Sequence, residues 1–200
     1  MCIRDRLHGR KINAVLQLRL HEAVLDLKKK ADASASGEKP EILLTYITRR
    51  GKWYHHSWKG DEPRSGGLAL NIGVHFFDFL TWIFGDAESC DIHLSQSSRC
   101  SGTLELEKAN VKWFLSVDEA DLPADVVRSG GYAYRSIACD GEEIDLSKGF
   151  TDLHTRVYEE ILAGRGHGLQ DARGAIDLVH TIRTQETKTP GPSAHPMLLS

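Results

Sequence analysis

Residues 66–84 read GGLALNIGVHFFDFLTWIF, and the pattern within them organises everything on either side. Leu70, Ile72, Val74, Phe76, Phe77, Phe79, Leu80, Trp82, Ile83 and Phe84 make the segment apolar on nearly every side. That distribution predicts a buried helix centred on residues 71–82. Three polar residues interrupt it. Asn71, His75 and Asp78 stand at i, i+4 and i+7, which places them on one face about two turns long. Burying a polar group costs free energy unless it finds a partner, so a polar stripe on such a helix requires an explanation. One is structural, with His75 bonded to Asp78 or to a backbone carbonyl within the core. The other is general acid/base chemistry near neutral pH, for which a carboxylate beside the histidine would set its tautomer. Gly66-Gly67 lets the backbone approach a ligand closely, and Gly73 leaves room beside His75 for another backbone or ring.

Upstream, residues 12–20 (INAVLQLRL) alternate as a short strand does, and 21–33 (HEAVLDLKKKADA) read as a helix with Lys28, Lys29 and Lys30 in its last turns. A Ser/Gly linker at 34–37 and Pro40 precede a strand over 41–49. In residues 50–65, RGKWYHHSWKGDEPRS, the periodicity dissolves into a polar loop bearing Trp53, Tyr54 and Trp58, of a length that usually carries function. Downstream, 90–97, 102–107, 110–117, 132–139 and 142–147 read as strands, with an Asp140-Gly141 turn between the last two. Helices follow over 151–163 and 171–184, the second with Ala172, Ile176, Val179 and Ile182 on one stripe. Strands grouped between helices predict an α+β fold: a largely antiparallel open sheet with helices on one face. The strand and helix at 12–33 stand outside that grouping and read as the remnant of a Rossmann-type domain. The expected organisation is a non-native lead over 1–6, the remnant of a dinucleotide-binding domain over 7–36, a substrate-binding and oligomerisation domain over 37–187, and a tail over 188–200.

Two hundred residues hold one large domain or one and a half ordinary ones. With 40% hydrophobic and 26% charged residues the composition is that of a globular chain. A net charge of −3 gives no basic surface for a nucleic-acid partner. No unbroken run of eighteen apolar residues predicts a membrane span. Cys2, Cys90, Cys100 and Cys139 form no C-x-x-C pair and read as free thiols of a reducing, cytoplasmic compartment. The opening MCIRDR is too short and too charged for a signal peptide. His55-His56 lacks partners at ligand spacing, so no metal is expected.

The segment Gly66–Asp78, GGLALNIGVHFFD, resembles the G-G-x-x-x-D-x-G-x-H-x-x-D motif of the Gfo/Idh/MocA family of NAD(P)-dependent sugar oxidoreductases, with Asn71 in place of the usual Asp. The runs INAVLQLRLH, LTYITRRGKWYHHSWKGD, ANVKWFLSVDEADLP and GFTDLHTRVYEEILAGRGHGLQDAR extend the likeness over residues 9–184. They are most similar to the branch of the family that acts on UDP-linked N-acetylglucosaminuronic acid, whose members carry Asn at this position. His195-Pro196 matches the C-terminal ending of that branch. The resemblance implies an NAD-dependent enzyme that oxidises the sugar 3-hydroxyl for bacterial surface-polysaccharide (lipopolysaccharide O-antigen) synthesis. It implies a homo-dimer or homo-tetramer formed through the open sheet. By motif match, His75 is the catalytic acid/base, Asn71 contacts the sugar, and Asp78 orients His75 or the helix.

Two features depart from that pattern. The family places a Glu-Lys-Pro lysine at the end of a Rossmann strand, whereas Glu38-Lys39-Pro40 follows a linker and precedes a strand, so Lys39 is expected to be solvent-exposed. No G-x-G-x-x-G follows a strand, and Gly164, Gly166 and Gly168 read as a helix C-cap loop. These 200 residues alone are therefore expected to bind NAD poorly or not at all. Trp53, Tyr54, Ser57 and Lys59 are candidates to receive the UDP-sugar, with surface packing of the loop as the alternative reading. Arg19 ends the first predicted strand and is a candidate for a carboxylate or diphosphate. His154 and Tyr158 share a helix face, where a core or subunit contact is expected. Two other functions compete with the leading one: a related sugar or inositol dehydrogenase, or, for these residues alone, a non-catalytic oligomerisation or sugar-binding module.

Overall fold

The computed structural model describes residues 9–34, 37–146 and 151–199; the lead at 1–6 and the end of the strand expected over 142–147 lie outside them. The chain opens with a two-residue strand, β1 (Asn13–Ala14), a 3₁₀ turn over Gln17–Leu20 and helix α1 (Glu22–Ala33). β2 (Glu41–Thr48) is followed by two short helices in the aromatic loop, α2 (Lys52–His56) and α3 (Glu62–Ser65). A π-helical turn, Ala69–Gly73, runs into α4 (Val74–Phe84). Three strands come next, β3 (Ala87–Ser95), β4 (Arg99–Leu106) and β5 (Ala109–Ser116), then α5 (Ala124–Arg128), β6 (Ala133–Cys139) and β7 (Glu142–Ile144). α6 (Leu153–Leu162), β8 (His167–Gly168) and α7 (Arg173–Thr184) close the order.

Most of the strand expected over 12–20 does not form. β1 pairs only with the two residues of β8, so nothing continues the ladder, and the chain tightens into the 3₁₀ turn that buries Leu18 and Arg19. The six-stranded sheet runs in the order β3-β4-β5-β2-β6-β7 and is open. Its neighbours are antiparallel except β2 and β5, which run parallel with Leu44 opposite Trp113. The parallel pair arises because the chain leaves β2, crosses through α4 and returns along the β3–β4–β5 meander to lie beside β2.

One sheet face carries the main core. Ile42 and Leu44, Leu104 and Leu106, Val111, Trp113 and Leu115, and Ile137 pack under Phe77, Phe79, Leu80 and Phe84 of α4 and Leu178 and Ile182 of α7. Phe77 meets Trp113 edge to face at 5.3 Å, a preferred aromatic arrangement. The helical run Glu62–Phe84 has a mean hydropathy of 1.4 and is long and apolar enough to cross a membrane, although the sequence shows no unbroken apolar run of that length. Here its apolar side chains are buried against the sheet. The buried stripe of α7 is Ala175, Leu178, Val179 and Ile182, while Ile176, expected on it, is 46% exposed. The observed stripe keeps Val179 and Ile182 of the expected one, with Ala175 and Leu178 in place of Ala172 and Ile176.

The opposite sheet face holds a second cluster of Ile47, Phe114 and Leu122, joined by Leu94, Val126, Tyr134, Met197 and Leu198. A register shift between Ile92 and Leu94 lets this edge strand serve both faces. The expected tail is fastened across this side. The Lys188 amide donates to the Ile92 carbonyl at 2.7 Å, and His195 is buried beneath the turn Pro196–Leu198.

Candidate functional site

The backbone between the aromatic loop and α4 is shaped by two glycines. Gly66 ends α3 at φ 80°, a left-handed conformation where a Cβ would also sit 2.5 Å from the Leu70 side chain. Gly73 closes the π turn in a gap where a Cβ would lie 2.6 Å from the Phe77 ring and 3.0 Å from Leu115. The ring that sequence spacing left room for is thus Phe77, from the helix itself.

The three residues of the polar stripe find different partners. The Asn71 amide donates to the Lys59 carbonyl at 3.2 Å and bonds the Tyr54 side chain. His75, beyond the turn, presents Nδ1 to the Gln17 amide nitrogen at 3.3 Å. Asp78, one turn further, is buried and accepts two hydrogen bonds from Arg19, Nε to Oδ2 at 3.0 Å and Nη2 to Oδ1 at 2.8 Å.

This pairing places two of the expected site residues. Arg19 meets the carboxylate of Asp78 and the Asp171 carbonyl, 2.7 Å from Nη2, rather than standing ready for a ligand. It is 5% exposed, because the 3₁₀ turn carries its side chain inward. Asp78 orients the helix through Arg19 and makes no hydrogen bond to His75; its charge alone reaches the ring. The sequence reading missed Gln17, the residue that does touch His75. A lone glutamine in an aliphatic run gives no periodic signal that could have marked it.

His75 lies open to solvent on the outer side of α4, yet the packing around its ring disfavours the charged form and holds the imidazole below its ordinary pKa. The charge of Asp78 opposes that shift, and His154 on α6 adds to it. His154 and Tyr158 are both exposed, so neither belongs to the core of the chain.

The aromatic loop brings Tyr54, Ser57 and Lys59 to Asn71. Tyr54 is buried at 3% exposure, and that burial raises its phenol pKa against the pull of Arg50 and of the bond to Asn71. The Ser57 hydroxyl donates to the Tyr54 carbonyl at 2.8 Å and accepts the Lys59 amide at 3.3 Å, so it fastens the loop to itself. Trp53 packs edge-on against Tyr54 and remains 54% exposed. The Lys59 ammonium lies 6.0 Å from the centre of the exposed Trp58 ring.

Lys39, expected to be solvent-exposed, is partly exposed and bonds Glu88 at 2.6 Å and Glu105 at 3.1 Å. The two carboxylates project from β3 and β4 and draw the ammonium to the sheet. Cys90 and Cys100 are buried, and burial pushes both thiols up to about 12. Two broad clefts lie away from the histidine. One of about 910 Å³ runs between α1 and the β6–β7 hairpin, and one of about 760 Å³ lies beside Trp82 and Arg173. Neither is lined by His75 or Asn71.

Comparison with known proteins places this geometry. A family model described as the C-terminal alpha/beta domain of an oxidoreductase family, GFO_IDH_MocA_C, matches residues 41–122. The chain superposes with a TM-score of 0.90 on the WlbA (WbpB) dehydrogenase of Thermus thermophilus in complex with NAD and α-ketoglutarate, at 48% identity over 96% of this chain and 62% of that one. The same enzyme in complex with NAD and UDP-GlcNAcA gives 47% identity over the same shares, again with a TM-score of 0.90. The WlbA dehydrogenase of Bordetella pertussis, in complex with NADH and UDP-GlcNAcA, shares the fold at 16% identity and a TM-score of 0.67, over 92% of this chain and 64% of that one. The chain thus spans about three fifths of the length of these relatives.

Proposed function

We propose that this chain, whose residues 41–122 match the C-terminal domain model of the Gfo/Idh/MocA oxidoreductase family, supplies the substrate side of an enzyme oxidising the 3-hydroxyl of UDP-linked N-acetylglucosaminuronic acid with NAD. One observation carries this reading: the chain is 47% identical to a dehydrogenase solved with NAD and UDP-GlcNAcA, and it carries Asn71 and His75 four residues apart at the start of α4. His75, whose packing holds it below its ordinary pKa, is the candidate acid/base group for the sugar hydroxyl. Asn71 offers the sugar an amide already tied to the loop through Lys59 and Tyr54. Trp53, with an exposed face, and Lys59 suit the base and diphosphate of the nucleotide.

The residues described do not themselves fit the dinucleotide. No glycine-rich turn joins a strand to a helix among them, and Gly164 sits in a left-handed turn behind α6. This chain's own part is therefore to bind the sugar, orient it and move its hydroxyl proton. The reading extends to a cytoplasmic homo-dimer or homo-tetramer joined through the open sheet and working in surface-polysaccharide (O-antigen) synthesis.

The test is NADH formation from UDP-GlcNAcA by the enzyme at the full length of its relatives, with His75→Ala beside it. Turnover by the parent and a loss of at least about a hundredfold in the variant is the expected result. Full turnover by His75→Ala would remove this histidine from the chemistry, and a preference for free sugars or inositol over UDP-GlcNAcA would move the enzyme to another branch of the family.

A further inference from the structure

We propose that Asn71 meets its ligand as a hydrogen-bond acceptor, through Oδ1, because the aromatic loop takes up its amide hydrogens, and that Tyr54 is the residue that positions it. That the ligand is a UDP-sugar rests on the dehydrogenase reading above; the orientation of the amide does not.

Chemistry forces the direction of the first contact. The Lys59 carbonyl oxygen carries no proton and can only accept, so the end of the Asn71 side chain 3.2 Å from it is the nitrogen. An asparagine turned the other way would set two carbonyl oxygens against each other. The second tie is to Tyr54, and it pulls the phenol pKa down, as an N–H directed at the phenol oxygen does. Two amide hydrogens thus meet two acceptors of the loop. Oδ1 accepts no hydrogen bond among the described residues, and Asn71 is half-buried rather than sealed in the core.

The loop that holds the amide is itself braced. Tyr54 is buried, the Ser57 hydroxyl donates to its carbonyl at 2.8 Å, and the Lys59 amide donates to the same hydroxyl at 3.3 Å. Both groups that grip Asn71 therefore belong to one short hydrogen-bonded unit, and the amide is oriented before any ligand arrives. Asn71 stands in the π turn and His75 in the first turn of α4, four residues on. An acceptor fixed there gives the site a polarity: it reads an O–H or N–H of the ligand and disfavours a ligand that offers only lone pairs. On the sugar ring of UDP-GlcNAcA, the donors besides the reacting 3-hydroxyl are the 4-hydroxyl and the acetamido N–H.

The first test needs no ligand. In NMR of this 200-residue chain, both Asn71 side-chain amide protons should exchange slowly with water and show small temperature coefficients, and Tyr54→Phe should return one of them to solvent-like values. Solvent-like behaviour of both protons in the parent, or two protons unchanged in Tyr54→Phe, would overturn the proposal; the parent spectrum decides even if the variant fails to fold. The second test is calorimetry on the enzyme at the full length of its relatives, with UDP-GlcNAcA and two analogues that each lack one donor: fluorine in place of the 4-hydroxyl, and an ester in place of the acetamide. One analogue should bind the parent about tenfold or more weakly than UDP-GlcNAcA, and Asn71→Ala should erase that gap. Tyr54→Phe should narrow the gap and raise KM with kcat little changed. Equal binding of all three compounds by the parent, or a gap that survives Asn71→Ala, would contradict the acceptor role. An enzyme that binds no UDP-GlcNAcA while both Asn71 protons are held by the loop would sink the dehydrogenase reading and leave the orientation standing.

Discussion

Arg19 and Asp78 form a buried ion pair in which the side chains are 6% and 4% exposed. Pairs of this kind gain little over apolar side chains of the same shape, but removing one partner strands a charge in the interior. Arg19→Met should therefore lower stability by about 3–5 kcal/mol in urea denaturation, while Arg19→Met combined with Asp78→Leu should recover most of the loss. The two positions lie 59 apart, and each has a reason to be polar when seen alone: an arginine at a strand end, an aspartate three residues from a histidine. Their sequence positions gave no sign that each answers the other. His75 and Asn71 stood out in the sequence as polar interruptions of an apolar helix, and the structure leaves His75 exposed and Asn71 half-buried rather than sealed in the core.

At the scale of the element, the decisive unit is the π turn Ala69–Gly73 before α4. Its geometry depends on a residue without a Cβ between the Phe77 ring and Leu115. Gly73→Ala should cost about 1–3 kcal/mol by overpacking, measured by thermal or urea unfolding, and the cost should shrink when Phe77→Leu is added. The helix itself was predictable from its apolar periodicity; the π turn within it was not, since it arises from packing of α4 on β5. The strands of the meander were legible for a similar reason, with Val111, Trp113 and Leu115 buried at alternate positions of β5. The strand expected over 12–20 failed because alternation in sequence cannot reveal whether a neighbour exists to complete the ladder.

Across the whole molecule, the C-terminal strap ties residues 188–198 to β2, β3 and β5 over the second sheet face. His195 sits 3.0 Å from Thr45, caps the final 3₁₀ turn through Nδ1 and stacks on Phe114 at 5.6 Å. Burial, aided by the charge of Lys112 and opposed by a bond to the Leu44 backbone, lowers its pKa to about 4. The folded state thus holds this ring neutral where an unfolded chain, with an ordinary value near 6.5, already binds a proton. Its contribution is fully present above about pH 6.5 and is lost as the pH falls toward about 4, a difference of about 3 kcal/mol. Urea unfolding between those limits should show this slope in the parent and lose it in His195→Gln. A strap anchored by a residue 150 positions from its partner has no local signature, and its Pro-, Thr- and Ser-rich composition reads as a loose tail.

The sequence by itself determined the layer of sheet and helix, the buried α4, and the histidine and asparagine set into it. Those follow from the periodicity of apolar and polar residues, which acts on neighbours along the chain. Only the tertiary structure decided that Arg19 closes on Asp78, that Gln17 meets His75, that β2 and β5 run parallel, and that His195 is sealed beneath the strap. Each of these joins residues distant in sequence, and such contacts are selected by the packing of the whole chain rather than by any local preference.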